Sequence, residues 1–307
     1  MDPSHHILFL WRNNNSVIIG QHQNPWVECN IEKMRQDNIN LVRRHSGGGA
    51  VFQDLGNTCF TFLSSRKVYD RERNYNIIIN SLKKFGIKAE RRGRNDLIVD
   101  DKKVSGSAFK ETPDRAFHHG TLLINVDLSK LANYLTPKQK KLIAKGIKST
   151  RSRVANLKEF HPDISHETLT EAIIEEFFKT YNAERHIETL DYNALKNIPE
   201  LQEYYKKLKH TDWIFGETPE FNHHLEERFS WGVIDVHLHV EKGMITQVKI
   251  YSDALNTEMI DLLTKHLHKI EYNKEALQKS LQKTHDKLPE VQEHIEEFTA
   301  WICKEIT

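Results

Sequence analysis

Between Arg43 and Phe62 the chain reads RRHSGGGAVFQDLGNTCFTF. Two arginines and His45 lead into Ser46-Gly47-Gly48-Gly49, and an apolar run, Ala50-Val51-Phe52, follows. Three consecutive glycines are poor material for a helix or strand interior, because glycine gives up the most backbone freedom on ordering. Between strand-like segments they suit a loop whose amides approach something closely. Successive N–H groups in such a loop form a concavity for an anion, and Arg43 and Arg44 add forked donors suited to phosphate or carboxylate. The plainer alternative is a flexible hairpin connection. A second stretch with chemical capacity is Lys103-Val104-Ser105-Gly106-Ser107-Ala108, which follows a turn at Asp100-Asp101-Lys102. Lys103 opens a strand of small residues, so its ammonium can reach a cleft they leave open. A lysine beside a turn is otherwise ordinarily solvated.

The remaining candidates are weaker. His118 and His119 are adjacent, and in a strand they point to opposite faces, so one is expected in the core and one outward. His237-x-His239 shows no carboxylate or cysteine companion in the sequence and reads as a surface pair. Lys138, Lys140, Lys141 and Lys145 read as a solvated helix face, whereas Arg151 and Arg153 bracket a short irregular segment. The glycine loop is not a P-loop, since no Gly-Lys-Ser/Thr follows it. It is not the dinucleotide fingerprint either, because it leads into a strand. No G-x-S-x-G elbow or HExxH is present. An anion-holding loop, arginines and one cleft lysine suit a reaction that aligns reactants while neutralising charge on phosphate and carboxylate oxygens. Adenylation of a carboxylate fits, since it needs no side-chain nucleophile.

Positioning these groups falls to short strands and amphipathic helices. Strands are expected at His6–Trp11 and Val17–Gly20, around the Arg12–Ser16 turn, and a helical stretch from Pro25 to about Gln36. Ala50–Gln53 and Thr58–Leu63 continue the sheet. Ile77, Ile78, Leu82 and Phe85 give a helix one buried side, and Gly86 sits where a C-terminal cap would. A strand is expected at Thr121–Val126 and a basic helix at Pro137–Ile147. Ser165 is placed to cap a helix striped by Leu169, Ala172, Ile173 and Phe177. Asn197-Ile198-Pro199 breaks the helical pattern, and a boundary falls near Phe215–Phe221. Beyond it, Ile234, Val236, Leu238 and Val240 alternate with polar residues in a strand with one wet face. Glu241-Lys242-Gly243 turns the chain into Met244–Tyr251, and helices run from Asn256 to the end.

The 307 residues are 38% hydrophobic and 28% charged, which is the composition of a soluble globular protein. A net charge of +1 argues against broad nonspecific nucleic-acid binding. No apolar run reaches the length of a membrane span, and Met1–Ser4 lacks the features of a signal peptide. Cys29, Cys59 and Cys303 are too few and scattered for a disulfide framework or a CxxC zinc site. A cytoplasmic protein is expected.

Taken together, Arg43–Phe62, Gly93-Arg94-Asn95-Asp96, Lys103–Ala108 and His118-His119-Gly120-Thr121 resemble the bacterial lipoate–protein ligase A family. The similarity continues through Leu131–Leu135, Gly146–Asn156, Glu226–Gly232 and Val240–Gly243. The resemblance implies an α/β (α+β) catalytic domain with a mixed sheet like that of biotin ligases, over residues 1–215. A small α/β accessory domain over residues 222–307 would follow. It also implies a two-step reaction. Lipoate and ATP, with Mg²⁺, give lipoyl-AMP and pyrophosphate; a lysine of an apo lipoyl domain then takes the lipoyl group. Nucleotide contacts would fall on Arg44, Gly49, Ala50, Val51 and Phe52. Lys103 would contact the lipoyl carboxyl and the phosphate as the key catalytic residue. His45, Gly47 and Gly48 would shape the lipoyl slot, while Asp96 would hold Mg²⁺ or orient the incoming amine. Partners would be the lipoyl domains of 2-oxoacid dehydrogenase E2 subunits and the glycine cleavage H protein, with the enzyme itself a monomer.

Family members usually begin with a further strand and helix carrying an Asn-Leu-Ala-like motif. This chain lacks them before Ile7, so part of the pocket wall is expected to be missing. Two other readings stand beside the ligase. One is a lipoyl or octanoyl transferase without the activation step, and the other is a non-catalytic nucleotide- or lipoyl-binding protein.

Overall fold

The structure, a computed structural model, describes residues 5–135, 154–216 and 222–306. The basic helix expected over Pro137–Ile147, together with Arg151 and Arg153, lies outside those residues. Two compact units divide the chain. The first is Met1–Ile19, Pro25–Arg43 and Ala50–Ile214; the second is Gly20–Asn24, Arg44–Gly49 and Phe215–Thr307. Relative to a division between residues 215 and 222, the short segments 20–24 and 44–49 go with the second unit. Backbone bonds tie them there: Ser252 N–H donates to His22 O and Gly48 N–H to Ala254 O.

In the first unit, β1 (Ile7–Trp11), β5 (Asn57–Ser65), β6 (Glu90–Arg92), β7 (Asp96–Val99), β8 (Lys102–Glu111) and β9 (Arg115–Leu123) form one antiparallel sheet. Its order is β1-β5-β9-β8-β7-β6. A separate three-stranded sheet, β3-β2-β4, joins β2 (Ser16–Ile19) in parallel to β3 (Asn40–Arg43) and antiparallel to β4 (Val51–Gln53). The segments expected to continue one sheet, 50–53 and 58–63, therefore sit in two. The chain changes sheet at the Asp54–Gly56 turn. There Asp54 Oδ1 accepts from Gly56 N–H, and a Cβ on Gly56 would lie 2.1 Å from Asn125 O. The helical stretch after Pro25 breaks at Cys29, and Asn30 caps a second helix over Ile31–Gln36.

The helix Arg71–Lys83 starts where Asp70 accepts from Arg73 N–H. It ends ahead of Gly86, whose φ of +71° needs no Cβ. Its buried Tyr75, Ile77, Ile78 and Leu82 form the apolar stripe, to which each aliphatic side chain contributes about 1.5–3 kcal/mol if fully buried. The helix His166–Tyr181, capped by Ser165, packs beside it: Ser81 Oγ donates to Ala172 O and Asn80 Nδ2 to Glu176 Oε1. Strand β9 includes both adjacent histidines. His118 is fully buried among Phe60, Phe62, Tyr75 and Phe109, while His119 is half-buried on the other face.

The second unit contains an antiparallel sheet, β10 (His223–Phe229), β11 (Gly232–Glu241), β12 (Met244–Ser252) and β13 (Ile270–Glu271). Helices Thr257–Leu267, Lys274–His285 and Gln292–Glu305 bury its apolar side, with Ile234, Val236, Leu238 and Ile250 facing Ile260, Leu263, Phe298 and their neighbours. The other face of β11 is drier than the alternation suggests, since Asp235 is buried too.

Candidate active site

Lys103 owes its direction to a mismatch between two strands. Leu97 pairs with Ser105 but Ile98 pairs with Lys103, so Val104 is an extra residue and the β7–β8 ladder is bulged. One added residue inverts the alternation of side chains beyond it. Lys103 consequently shares a face with Gly106, and a Cβ on Gly106 would lie 3.0 Å from Lys103 Nζ. Asp96, opposite Gly106 in the ladder, holds that ammonium on Oδ1 at 2.6 Å, with side chains 29% (Lys103) and 31% (Asp96) exposed. The backbone is fixed as well. Asp100 and Asp101 adopt φ of 47° and 59° at the hairpin turn, the left-handed pair that a two-residue turn requires. Lys103 O accepts from Ala155 N–H at 3.0 Å on the side away from β7. Asn95 is joined to Ser107 in both directions, accepting Ser107 N–H and donating Nδ2 to Ser107 O. The result is a partly exposed cation on a fixed strand over a glycine, suited to neutralising oxygen charge.

Hydrogen bonds within the chain brace the glycine loop. Arg44 turns its fork inward: Nε donates to Ser46 Oγ at 3.1 Å, and Nη2 donates to the carbonyls of Gly47 (2.7 Å) and Gly49 (2.8 Å). Removal from water pulls its pKa down from 12.5 to about 10, which leaves the guanidinium charged at neutral pH. Not every amide faces outward, because Gly48, at φ +89°, donates its N–H to Ala254 O at 3.2 Å. Gly47 lies flush on the same segment, where a Cβ would stand 2.1 Å from Ala254 O and 2.8 Å from Leu255 O. Gly49 is different. It is exposed, and nothing stands within 4 Å of the place a Cβ would take. Packing within the protein explains Gly47 and Gly48, whereas the space beside Gly49 is open.

The other expected residues divide by unit. His45 is half-buried beside the loop in the second unit. Ala50, Val51 and Phe52 lie in the first. Phe52 is buried against Tyr134, with ring centroids 5.5 Å apart, and Val51 pairs with Ile18. Ahead of the loop, Arg43 is 6% exposed and donates to the carbonyls of Trp213 and Ile214, while Trp213 Nε1 donates back to Arg43 O. Sequence reasoning gave Arg43 a ligand and missed this clamp, whose partners stand 170 residues apart. It also missed the cluster His224, Asp235 and His237. Counting back from the two-residue turn at Ser230-Trp231 would have set His224 opposite His237.

A Mg²⁺ ion takes about six oxygen ligands, often one or two carboxylates plus substrate phosphates. Asp96 is engaged with Lys103 and belongs to no group of three carboxylate, imidazole or thiol ligands among the described residues.

Comparison with known proteins accounts for both units. The family described as lipoyl protein ligase A/B catalytic domain matches residues 1–178, and bacterial lipoate protein ligase C-terminus matches residues 218–302. Lipoate-protein ligase A of Psychrobacter cryohalolentis is 52% identical over 311 residues, covering 100% of this chain and 92% of that protein. The crystal structure of P. falciparum LipL1 in complex with lipoate has a TM-score of 0.85 at 39% identity, covering 97% of this chain and 87% of that one. A lipoate-protein ligase A bound with ATP gives 0.58 at 28% identity, covering 69% of this chain and 86% of its own. A chain from a structural analysis of a bi-partite lipoate protein ligase and its E2 lipoyl domain from Thermoplasma acidophilum gives 0.60 at 30%, covering 70% of this chain and 86% of its own. With family matches over both units and more than half of all positions shared with a full-length relative, this chain belongs to the lipoate–protein ligase A family.

Proposed function

We propose that the chain is an ATP-dependent, AMP-forming lipoate–protein ligase that runs both half-reactions, with Lys103 as the catalytic cation. In the first, a carboxylate oxygen of lipoate attacks the α-phosphorus of ATP, the bond to the bridging oxygen breaks and pyrophosphate leaves. In the second, the amine of a target lysine attacks the carbonyl of lipoyl-AMP. The amide forms, AMP departs with the bonding pair, and the amine's surplus proton passes to solvent. Both steps build charge on acyl and phosphate oxygens, and a fixed cation stabilises it where it grows. The observation that carries this reading is the bulge that turns Lys103 over Gly106, with Asp96 holding the ammonium at 2.6 Å.

Asp96 acts here as a positioning residue. Mg²⁺ brought in with the nucleotide would supply screening of the phosphate charge. Arg44, Gly49, Ala50, Val51 and Phe52 bind the nucleotide, and Lys103 contacts both the lipoyl carboxyl and the phosphate. Gly47, Gly48 and His45 shape the lipoyl slot. The acceptors are apo lipoyl domains of 2-oxoacid dehydrogenase E2 subunits and the H protein. The enzyme acts as a monomer in the cytoplasm. Cys29, Cys59 and Cys303 are free, buried thiols, as a reducing compartment allows.

Purified protein with lipoate, labelled pyrophosphate, ATP and Mg²⁺ is expected to exchange label into ATP. Mass spectrometry is expected to find a lipoyl group on an apo E2 domain only when ATP is present. Transfer from ready-made lipoyl-AMP without exchange would replace this reading with the transferase. Ligand-induced thermal stabilisation with neither reaction would leave only a binding protein.

A further inference from the structure

Strands β10 and β11 place three metal-ligand side chains on one face of the second unit. His224 lies directly opposite His237 in the antiparallel register, and Asp235 is two residues before His237 on the same strand. Alternation puts all three on the same side of the sheet, away from the core-facing Val236 and Leu238. Both imidazoles aim Nε2 at one oxygen. His224 Nε2 is 2.7 Å and His237 Nε2 2.8 Å from Asp235 Oδ1, and the rings stack at 4.5 Å between centroids. One ligand atom from each residue falls within 4.8 Å of the others, and among the described residues this is the one such group of three.

We propose that His224, Asp235 and His237 form a binding site for a divalent transition-metal ion, with Zn²⁺ the best match. Two imidazoles and a carboxylate suit Zn²⁺, at about 2.0–2.1 Å for nitrogen and 2.0–2.2 Å for oxygen, whereas Mg²⁺ prefers an all-oxygen shell. Each imidazole would present its Nε2 lone pair to the ion and carry its proton on Nδ1, and no redox step is involved. The three ligand atoms must open slightly to admit the ion. His224, 56% exposed, is free to swing, while the inner ligands are held. The Asp235 side chain is 8% exposed, and the ring of Tyr251 stands edge-on to His237 at 5.4 Å. Two fixed ligands and one movable one leave the remaining coordination positions to water. Lys249, paired with His237 on β12, lays its ammonium over the Tyr251 ring at 5.6 Å. That like charge limits the affinity, so the site suits a reversible metal more than a permanent structural one. The three ligands lie on the sheet face opposite the apolar core that includes Val236 and Leu238, which distinguishes the site from a zinc-finger-like staple.

The test is calorimetric titration of EDTA-treated, full-length protein with Zn²⁺ in the presence of excess Mg²⁺. Co²⁺ absorption serves as an independent report of nitrogen ligation. The wild type is expected to bind one more Zn²⁺ per chain than His224→Gln, or to bind it at least about 10-fold more tightly, a loss that even outer-sphere partners of a metal can cause. Glutamine can still donate a hydrogen bond to Asp235, so a purely structural histidine would tolerate it. His224→Cys, which keeps a zinc ligand, is expected to restore binding. Titrations identical for wild type and His224→Gln would overturn the proposal, as would complete displacement by Mg²⁺ or no binding to the wild type.

Discussion

Lys103 and Asp96 meet at 2.6 Å because the two strands that carry them are one residue out of step. In an even ladder Lys103 would project from the face opposite Gly106, and the ammonium would have no carboxylate beside it. Lys103→Ala is expected to lower ATP–pyrophosphate exchange about 10²–10³-fold, the range for removing one preorganised donor from a transition state. Its unfolding free energy should fall by only about 1 kcal/mol, since the pair it breaks is partly exposed and Asp96 Oδ1 loses its partner. Asp96→Asn should cost less, and adding it to Lys103→Ala should change little, since a positioning residue has nothing left to position. Additive losses, or near-normal exchange by Lys103→Ala, would remove the assignment.

The three glycines separate by cause. Gly47→Ala brings a Cβ to 2.1 Å from Ala254 O, a contact with backbone that cannot swing aside. It should lower the thermal midpoint and disorder the loop together. Gly49→Ala meets nothing within 4 Å, so its melting curve should match the wild type. If Gly49 is kept bare for the nucleotide, the same variant should weaken ATP binding in an equilibrium titration. Normal ATP affinity in a normally folded Gly49→Ala protein would refute that role.

Local rules reached the elements but not their relations. Ser165 as a cap, Gly86 past a helix end and the Asp100-Asp101 turn are each decided within a few residues, and the sequence shows them. The ligase motifs were legible for the same reason. The β7–β8 bulge was not, because it is a property of two strands in register. The inward turn of Arg44 depends on carbonyls that only the folded loop presents. The bond from Gly48 to Ala254 and the return bond from Trp213 to Arg43 each span well over a hundred residues. His237 was read beside His239, its neighbour in sequence, whereas its partners are Asp235 and His224 across the hairpin.

His118 gives the first unit a pH dependence. Burial among aromatic rings, with smaller contributions from His119, Arg71 and Arg91, holds its pKa well below 6.5. Below about pH 6.5 the unfolded chain takes up a proton that the folded chain refuses, so stability falls as the solution is acidified and is fully present above that value. His6 and His166 are shifted in the same direction by partial burial, so some slope will survive any single change. Urea unfolding from pH 8 down to pH 5 should show the midpoint falling below about pH 6.5. In His118→Leu the fall should be shallower. Equal slopes in the two proteins would mean that His118 is not the group responsible.

The Arg43–Trp213 clamp fastens the short helix Thr211–Phe215 to β3. Arg43 Nε lies 2.9 Å from Trp213 O and Nη2 lies 2.6 Å from Ile214 O, so one guanidinium serves two helix carbonyls. Trp213 Nε1 then satisfies Arg43 O at 2.9 Å. Trp213→Phe keeps an aromatic ring but removes that donor together with part of the indole, at an expected cost of at least about 1 kcal/mol. Arg43→Lys replaces a fork with a point charge that cannot span both carbonyls, and it should cost at least as much. Because both changes open the same closed circuit, the double variant should lose less than the sum of the two. Amide exchange across residues 211–215 should rise in each. If the two losses add, or if exchange there is unchanged in Trp213→Phe, the helix is held by its packing and not by these bonds.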